Sequence, residues 1–95
     1  MDKKRKKHIE EIYRVFTKID TLAEAKRFLV DILTPNEIES IAERWQIMKE
    51  LDSGMVQREV SAKLSVSIAK VTRGSRILKY GEGGFRTIMK RMRKG

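Results

Sequence analysis

Gln57-Arg58-Glu59-Val60-Ser61-Ala62-Lys63-Leu64-Ser65-Val66-Ser67-Ile68-Ala69-Lys70-Val71-Thr72-Arg73 reads as two short helices joined by a tight turn. Val60 and Leu64 lie four apart on the first helix. Ile68 and Val71 lie three apart on the second, with Leu78 two turns on, so each helix carries an apolar stripe. Ser61 stands where the first helix must pass close to the second, and a small side chain suits that place. Ser67 can cap the second helix through its hydroxyl. The outward positions Ala69, Lys70, Thr72, Arg73 and Arg76 are small, polar or basic. This is the pattern of a helix-turn-helix over about residues 56–79, whose second helix enters the major groove of DNA. From Met55 to Tyr80 there are six basic residues and one acidic residue, Glu59. A plain helical hairpin needs the apolar spacing but not so one-sided a charge. Two positions are irregular. Ser65 occupies a turn site that favours glycine, at a cost of about 1 kcal/mol for a positive φ. Val56 stands where a Ser or Thr usually caps the first helix.

The totals agree with an anionic partner. The chain has 95 residues and a net charge of +9, which points to nucleic acid first and an anionic membrane second. The charge is uneven: residues 1–8 carry +4, residues 55–80 carry +5, residues 86–95 carry +5, and residues 35–52 carry −3. The acidic segment is therefore expected to lie away from the anionic partner. There is no cysteine, which excludes disulfides, thiolate catalysis and Cys-based zinc sites. No apolar run approaches the ~20 residues of a membrane span. The basic start has no apolar core behind it, so no secretory signal is expected. These features predict a cytoplasmic protein without a membrane partner.

Lys3-Lys4-Arg5-Lys6-Lys7-His8 reads as a basic arm over residues 1–8, and residues 9–95 as a single helical domain. A first helix is predicted from about residue 7 to 19, with Ile9, Ile12, Tyr13, Phe16 and Ile19 on one face. Thr21 and Glu24 form a capping box for a second helix carrying Leu22, Ala25, Phe28, Leu29, Ile32 and Leu33. Both stripes are wide for lone surface helices, and two such helices in a short chain suit a homodimer interface. Thr34-Pro35-Asn36-Glu37 is the clearest boundary, with Thr34 as N-cap and Pro35 at the first helical position. The third helix should run from 35 to about 52 and bury Ile38, Ile41, Ala42, Trp45, Met48 and Leu51. Its acids Glu37, Glu39, Glu43, Glu50 and Asp52 read as a solvated face. Gly54 ends it. Gly74 lies inside the recognition helix at a cost of ~1 kcal/mol relative to alanine, which suggests that a helix or a ligand approaches the backbone there. A last helix at about 85–93 carries Phe85, Ile88, Met89 and Met92. The fold class is thus all-α, with five to six helices.

No catalytic constellation is present. His8 is the single histidine and sits in the basic run, so neither a His-based triad nor a metal site is expected, and no phosphate-binding glycine loop follows a strand. The chain reads as a non-enzyme without a cofactor.

Leu33-Thr34-Pro35-Asn36-Glu37, Arg44, Gln57-Arg58-Glu59, Ile68-Ala69, Thr72-Arg73-Gly74-Ser75 and Leu78-Lys79 resemble the tryptophan repressor family over roughly residues 33–79. Leu78-Lys79-Tyr80-Gly81-Glu82-Gly83-Gly84-Phe85 looks like its repressor-like branch. The resemblance implies an intertwined dimer whose recognition helices enter successive major grooves of double-stranded DNA at a pseudo-palindromic operator. It implies DNA contacts at Gln57, Arg58, Ile68, Ala69, Thr72 and Lys79. Lys70 and Arg76 add cations on the same helix, and Lys70 could reach a base or a phosphate. The family's basic residue in the first motif helix is Ser61 here. The resemblance also implies a small-molecule pocket in which Arg44 and Arg73 flank an indole and Gly74 admits it. Lys70 and Ile77 stand where the family has a threonine and a serine. They shrink and repolarise the pocket, and an amino acid there loses a hydrogen-bond partner, at about 1–3 kcal/mol for each unpaired polar group. Tryptophan, another effector or none all stay open, as does a constitutive DNA binder. A basic adaptor or RNA-binding module is the other alternative, but RNA readers expose stacking aromatics, and these aromatics fall on predicted core stripes.

Overall fold

A computed structural model describes residues 2–94. Among them are six α-helices and no strand: α1 Lys3–Phe16, α2 Leu22–Ile32, α3 Pro35–Asp52, α4 Gln57–Leu64, α5 Ile68–Tyr80 and α6 Gly84–Lys94. The all-α expectation holds. The chain divides into two compact units, Met1–Ile38 and Glu39–Gly95, and the division falls inside α3.

In the first unit α1 begins at Lys3, not near residue 7, so the basic run is part of a helix and not an arm ahead of one. The Asp2 carboxylate accepts the Arg5 N–H at 2.8 Å, which supplies the N-cap that the periodicity did not reveal. Lysine and arginine then propagate the helix well. At the other end the Thr17 N–H and hydroxyl both donate to the Arg14 carbonyl, at 3.1 and 2.6 Å. The helix closes there, short of Ile19. At α2 the Thr21 hydroxyl accepts the Glu24 N–H, and the Glu24 carboxylate accepts the Asp20 N–H, both at 3.1 Å. Phe16 and Phe28 meet edge-on, with centroids 5.8 Å apart. Yet neither α1 nor α2 contains a buried residue, and Leu22 is 80% exposed. The start of α3 has the complete capping box: Glu37 N–H to Thr34 Oγ1 at 3.2 Å and Thr34 N–H to Glu37 Oε1 at 2.8 Å.

The second unit has a closed centre. Ile47, Val60 and Val71 are buried together, and Leu51, Met55, Leu64 and Val66 pack around them. Ile47, 2% exposed, is the α3 residue at the centre of this core, although the predicted stripe omitted it. The helix carries apolar residues on more than one side, so a single-stripe template fails. Ile41 and Ala42, expected inside, are exposed, while Trp45, Met48 and Leu51 are half-buried. The end of α3 is a Schellman turn: Gly54 takes a φ of +102°, its N–H donates to Leu51 O at 3.1 Å, and the Met55 N–H donates to Glu50 O at 3.2 Å. Helix α6 buries Met89 and sets Phe85 against Trp45 at 4.8 Å, while Ile88 and Met92 stay exposed.

Of the α3 acids expected on a solvated face, Glu37 and Glu39 are exposed but the other three are not. Glu43, Glu50 and Asp52 are partly buried, and each holds a cation from another helix. Glu43 pairs with Lys70 of α5 at 2.8 Å, and Glu50 with Lys63 of α4 at 2.7 Å. Asp52, whose side chain is 14% exposed, takes Arg86 and Arg93 of α6 at 3.4 and 2.8 Å. Among the described residues, no helix is long and apolar enough to cross a membrane.

Candidate nucleic-acid interface

Helices α4 and α5 are held in register by their own turn. Ser65 adopts φ 54° and ψ 46°, the left-handed conformation expected at that site. The Val66 N–H donates to Ser61 O at 3.1 Å, and the Ser61 hydroxyl donates back to Val66 O at 2.6 Å. Ser61 therefore does more than keep the crossing narrow: its hydroxyl closes the turn. A glycine-free turn is stabilised here by a side-chain bond that spacing alone did not suggest. Ser67 caps α5, accepting the Lys70 N–H at 3.2 Å. Val56 at the start of α4 provides no side-chain cap, as its apolar side chain requires.

The outer side of α5 is one continuous strip. Ala69, Thr72, Arg73, Arg76 and Ile77 line a single shallow groove open to solvent. Ile68 is 52% exposed, so the core role inferred from its spacing to Val71 is wrong; it stands on the surface at the first turn of α5. Lys79 and Arg58 are exposed, and Gln57 is half-buried. The Thr72 hydroxyl donates to Gln57 Oε1 at 2.9 Å, which ties the start of α4 to the face of α5 and leaves the Gln57 amide N–H groups to donate elsewhere. Among the described residues Arg58, Arg73, Arg76 and Lys79 form no ion pair. The cations elsewhere in this unit that do pair, Lys63, Lys70, Arg86 and Arg93, are bound to α3 carboxylates. Unpaired guanidinium and ammonium groups beside small side chains can meet phosphates, while Ala69 and Thr72 leave room for base edges.

Lys70 departs from its expectation. Its ammonium is engaged by Glu43 across the space between α3 and α5 and is not directed outward alone. That pair lies on a cavity of about 150 Å³ lined by Ser40, Glu43, Arg44, Ile47, Met48, Lys70, Arg73, Gly74 and Ile77. The five residues singled out from sequence, Arg44, Lys70, Arg73, Gly74 and Ile77, are brought together there. Ser40, Glu43, Ile47 and Met48 were missed, because their membership depends on how α3 meets α5. In other proteins a cavity of this size admits a benzene ring, below the roughly 300 Å³ at which ligand pockets begin. Gly74 serves the helix contact itself. A Cβ there would come within 3.0 Å of Ile47 Cγ2 and 3.4 Å of Leu51 Cδ1, so glycine lets α3 and α5 approach.

The aromatics do not all fall on core stripes. Trp45 and Phe85 pack against each other with their rings tilted by 55°, but Tyr80 at the end of α5 is 82% exposed, and Tyr13 and Phe16 are exposed as well.

Comparison with known proteins covers nearly the whole chain. The family model described as Trp repressor protein matches residues 7–93. The protein YerC of Bacillus subtilis (strain 168) is 28% identical over 94 residues, spanning 99% of this chain and 90% of its own. A Trp operon repressor homolog of Xylella fastidiosa (strain M23) is 39% identical over 72 residues, 75% of this chain and 78% of its own. The crystal structure of a TrpR-like protein from Eubacterium eligens superposes with a TM-score of 0.82 at 28% identity, covering 90% of this chain and 89% of the other.

Proposed function

Because the chain belongs to the Trp repressor family, we propose that it is a homodimeric, sequence-specific DNA-binding transcriptional regulator acting as a repressor. The observation that carries this reading is the division of cations in the second unit. Arg58, Arg73, Arg76 and Lys79 of the helix-turn-helix have no carboxylate partner among the described residues, whereas Lys63, Lys70, Arg86 and Arg93 are held by carboxylates of α3. In this reading α5 lies in the major groove. Ala69, Thr72 and Ile68 face base edges, Arg58, Arg76 and Lys79 meet phosphates, and Gln57 donates from a position set by Thr72. Two copies joined through α1 and α2 bury the apolar faces that one copy leaves open, and two-fold symmetry then calls for half-sites about 34–36 Å apart.

The test is a titration against a palindromic duplex selected from a random pool, repeated between low and moderate salt. Several phosphate contacts release counterions, so log K should fall linearly with log salt, with a slope near −0.9 per phosphate. A flat response overturns the reading. A single-stranded RNA of matched length that outcompetes the duplex would move it to the RNA class, for which the exposed Tyr80 offers a stacking surface.

A further inference from the structure

The contact between α3 and α5 is uneven along its length. At Gly74 the two helices touch, with Ile47 set against the glycine backbone. Beside that contact they part around the cavity of about 150 Å³. Close packing normally holds a helix in place, because each missing neighbour forfeits its dispersion contacts. The first turn of α5, where Ile68 and Ala69 stand exposed, borders this gap through Lys70. Lys70 is also the residue whose N–H is capped by Ser67. What crosses from α5 to α3 at this point is the Lys70 Nζ–Glu43 Oε1 bond of 2.8 Å. Glu43 lies one turn before Ile47 on α3, so the ion pair and the Gly74 contact brace α5 at two separate points.

We infer that Glu43 is a positioning residue for DNA recognition: through Lys70 it fixes the first turn of α5 against α3, so that the helix is set for one half-site geometry without a bound small molecule. The inference rests on the DNA-binding reading above. It makes a prediction that charge alone contradicts. Removing the Glu43 carboxylate makes a chain of net charge +9 more positive, which by itself tightens binding to any polyanion. A lost brace weakens binding to the selected duplex and leaves random DNA to follow the charge. An exposed ion pair shifts an equilibrium about two- to fivefold. A dimer seating two recognition helices multiplies the two effects to about 4- to 25-fold.

The experiment compares the full chain with E43Q and E43D on the selected duplex and on random duplex, at one salt concentration. The expected result is that E43Q loses about 4- to 25-fold on the selected duplex and is unchanged or tighter on random DNA. E43D stays within about twofold of the parent, since the flexible lysine stem spans one missing methylene. Amide exchange of Val71, Thr72 and Arg73 rises in E43Q without DNA, while that of α6 does not. Millimolar tryptophan changes the parent affinity by less than about twofold. If E43Q binds the selected duplex as tightly as the parent or more tightly, or if tryptophan strengthens the parent about tenfold or more, the role given to Glu43 is overturned while the DNA reading stands. If the parent itself binds no duplex with a salt slope, the functional reading falls and this inference falls with it.

Discussion

The two units of this chain solve the same problem differently. Residues 39–94 enclose a small core in which Val60 and Val71 have no exposed surface. Residues 2–38 have capped, well-formed helices and an aromatic pair, yet none of the residues in α1 or α2 is buried. Local signals therefore suffice to make helices in both, but only the second has somewhere to put its apolar stripes. Capping and an edge-on ring pair contribute about 1 kcal/mol each, whereas burying one large apolar side chain contributes about 1.5–3 kcal/mol. The first unit lacks that larger contribution within one copy of the chain, which is why a second copy is the natural cover for α1 and α2 in the proposed dimer.

The sharpest way to break this contrast is to place a charge on the open face of the first unit. Leu22→Asp lies on an exposed surface in one copy, where a substitution changes stability by less than ~0.5 kcal/mol. In a dimer the same carboxylate is buried without a partner, a loss of several kcal/mol. Sedimentation should find the parent dimeric and L22D monomeric. A dimeric L22D of unchanged thermal midpoint would place the interface elsewhere.

The next effect belongs to the second unit. Val71→Ala removes two fully buried methyl groups and should cost about 2 kcal/mol, which lowers the thermal midpoint by roughly 8–16 °C. A loss below about 0.5 kcal/mol would mean that the core around Ile47 collapses into the gap, and the contrast between the units would shrink. The smallest effect comes from the turn. Ser65→Gly relieves a left-handed serine, about 1 kcal/mol, but loosens the unfolded chain. The net gain should stay below ~1 kcal/mol in urea unfolding, and a net loss would mean that the turn depends on the serine side chain itself.

What was legible in the sequence was chiefly local. Thr21, Thr34 and Ser67 cap where their spacing to the next turn predicts, and Ser65 takes the positive φ that its place in the motif demands. These depend on neighbours within a few residues. Ile47 was illegible because α3 has apolar residues on several sides, and only the position of α4 and α5 decides which of them is central. The α3 ion pairs were illegible for a related reason: Lys63 and Glu50 are 13 residues apart, and Arg93 and Asp52 are 41 apart. No helical periodicity reaches that far. The start of α1 was missed because Asp2 caps it from within a run that reads as charge alone. At the cavity, five lining residues could be named in advance, but not that Lys70 would be taken by Glu43.

The acids along α3 act as internal counterions. A cation already held by Glu43, Glu50 or Asp52 is not free to neutralise a phosphate. It therefore displaces none of the counterions condensed on the duplex. The salt slope of this protein should therefore count the bare cations of the helix-turn-helix and undercount its formal charge of +9. Thermodynamically, the fold has decided in advance which of its charges can report on DNA.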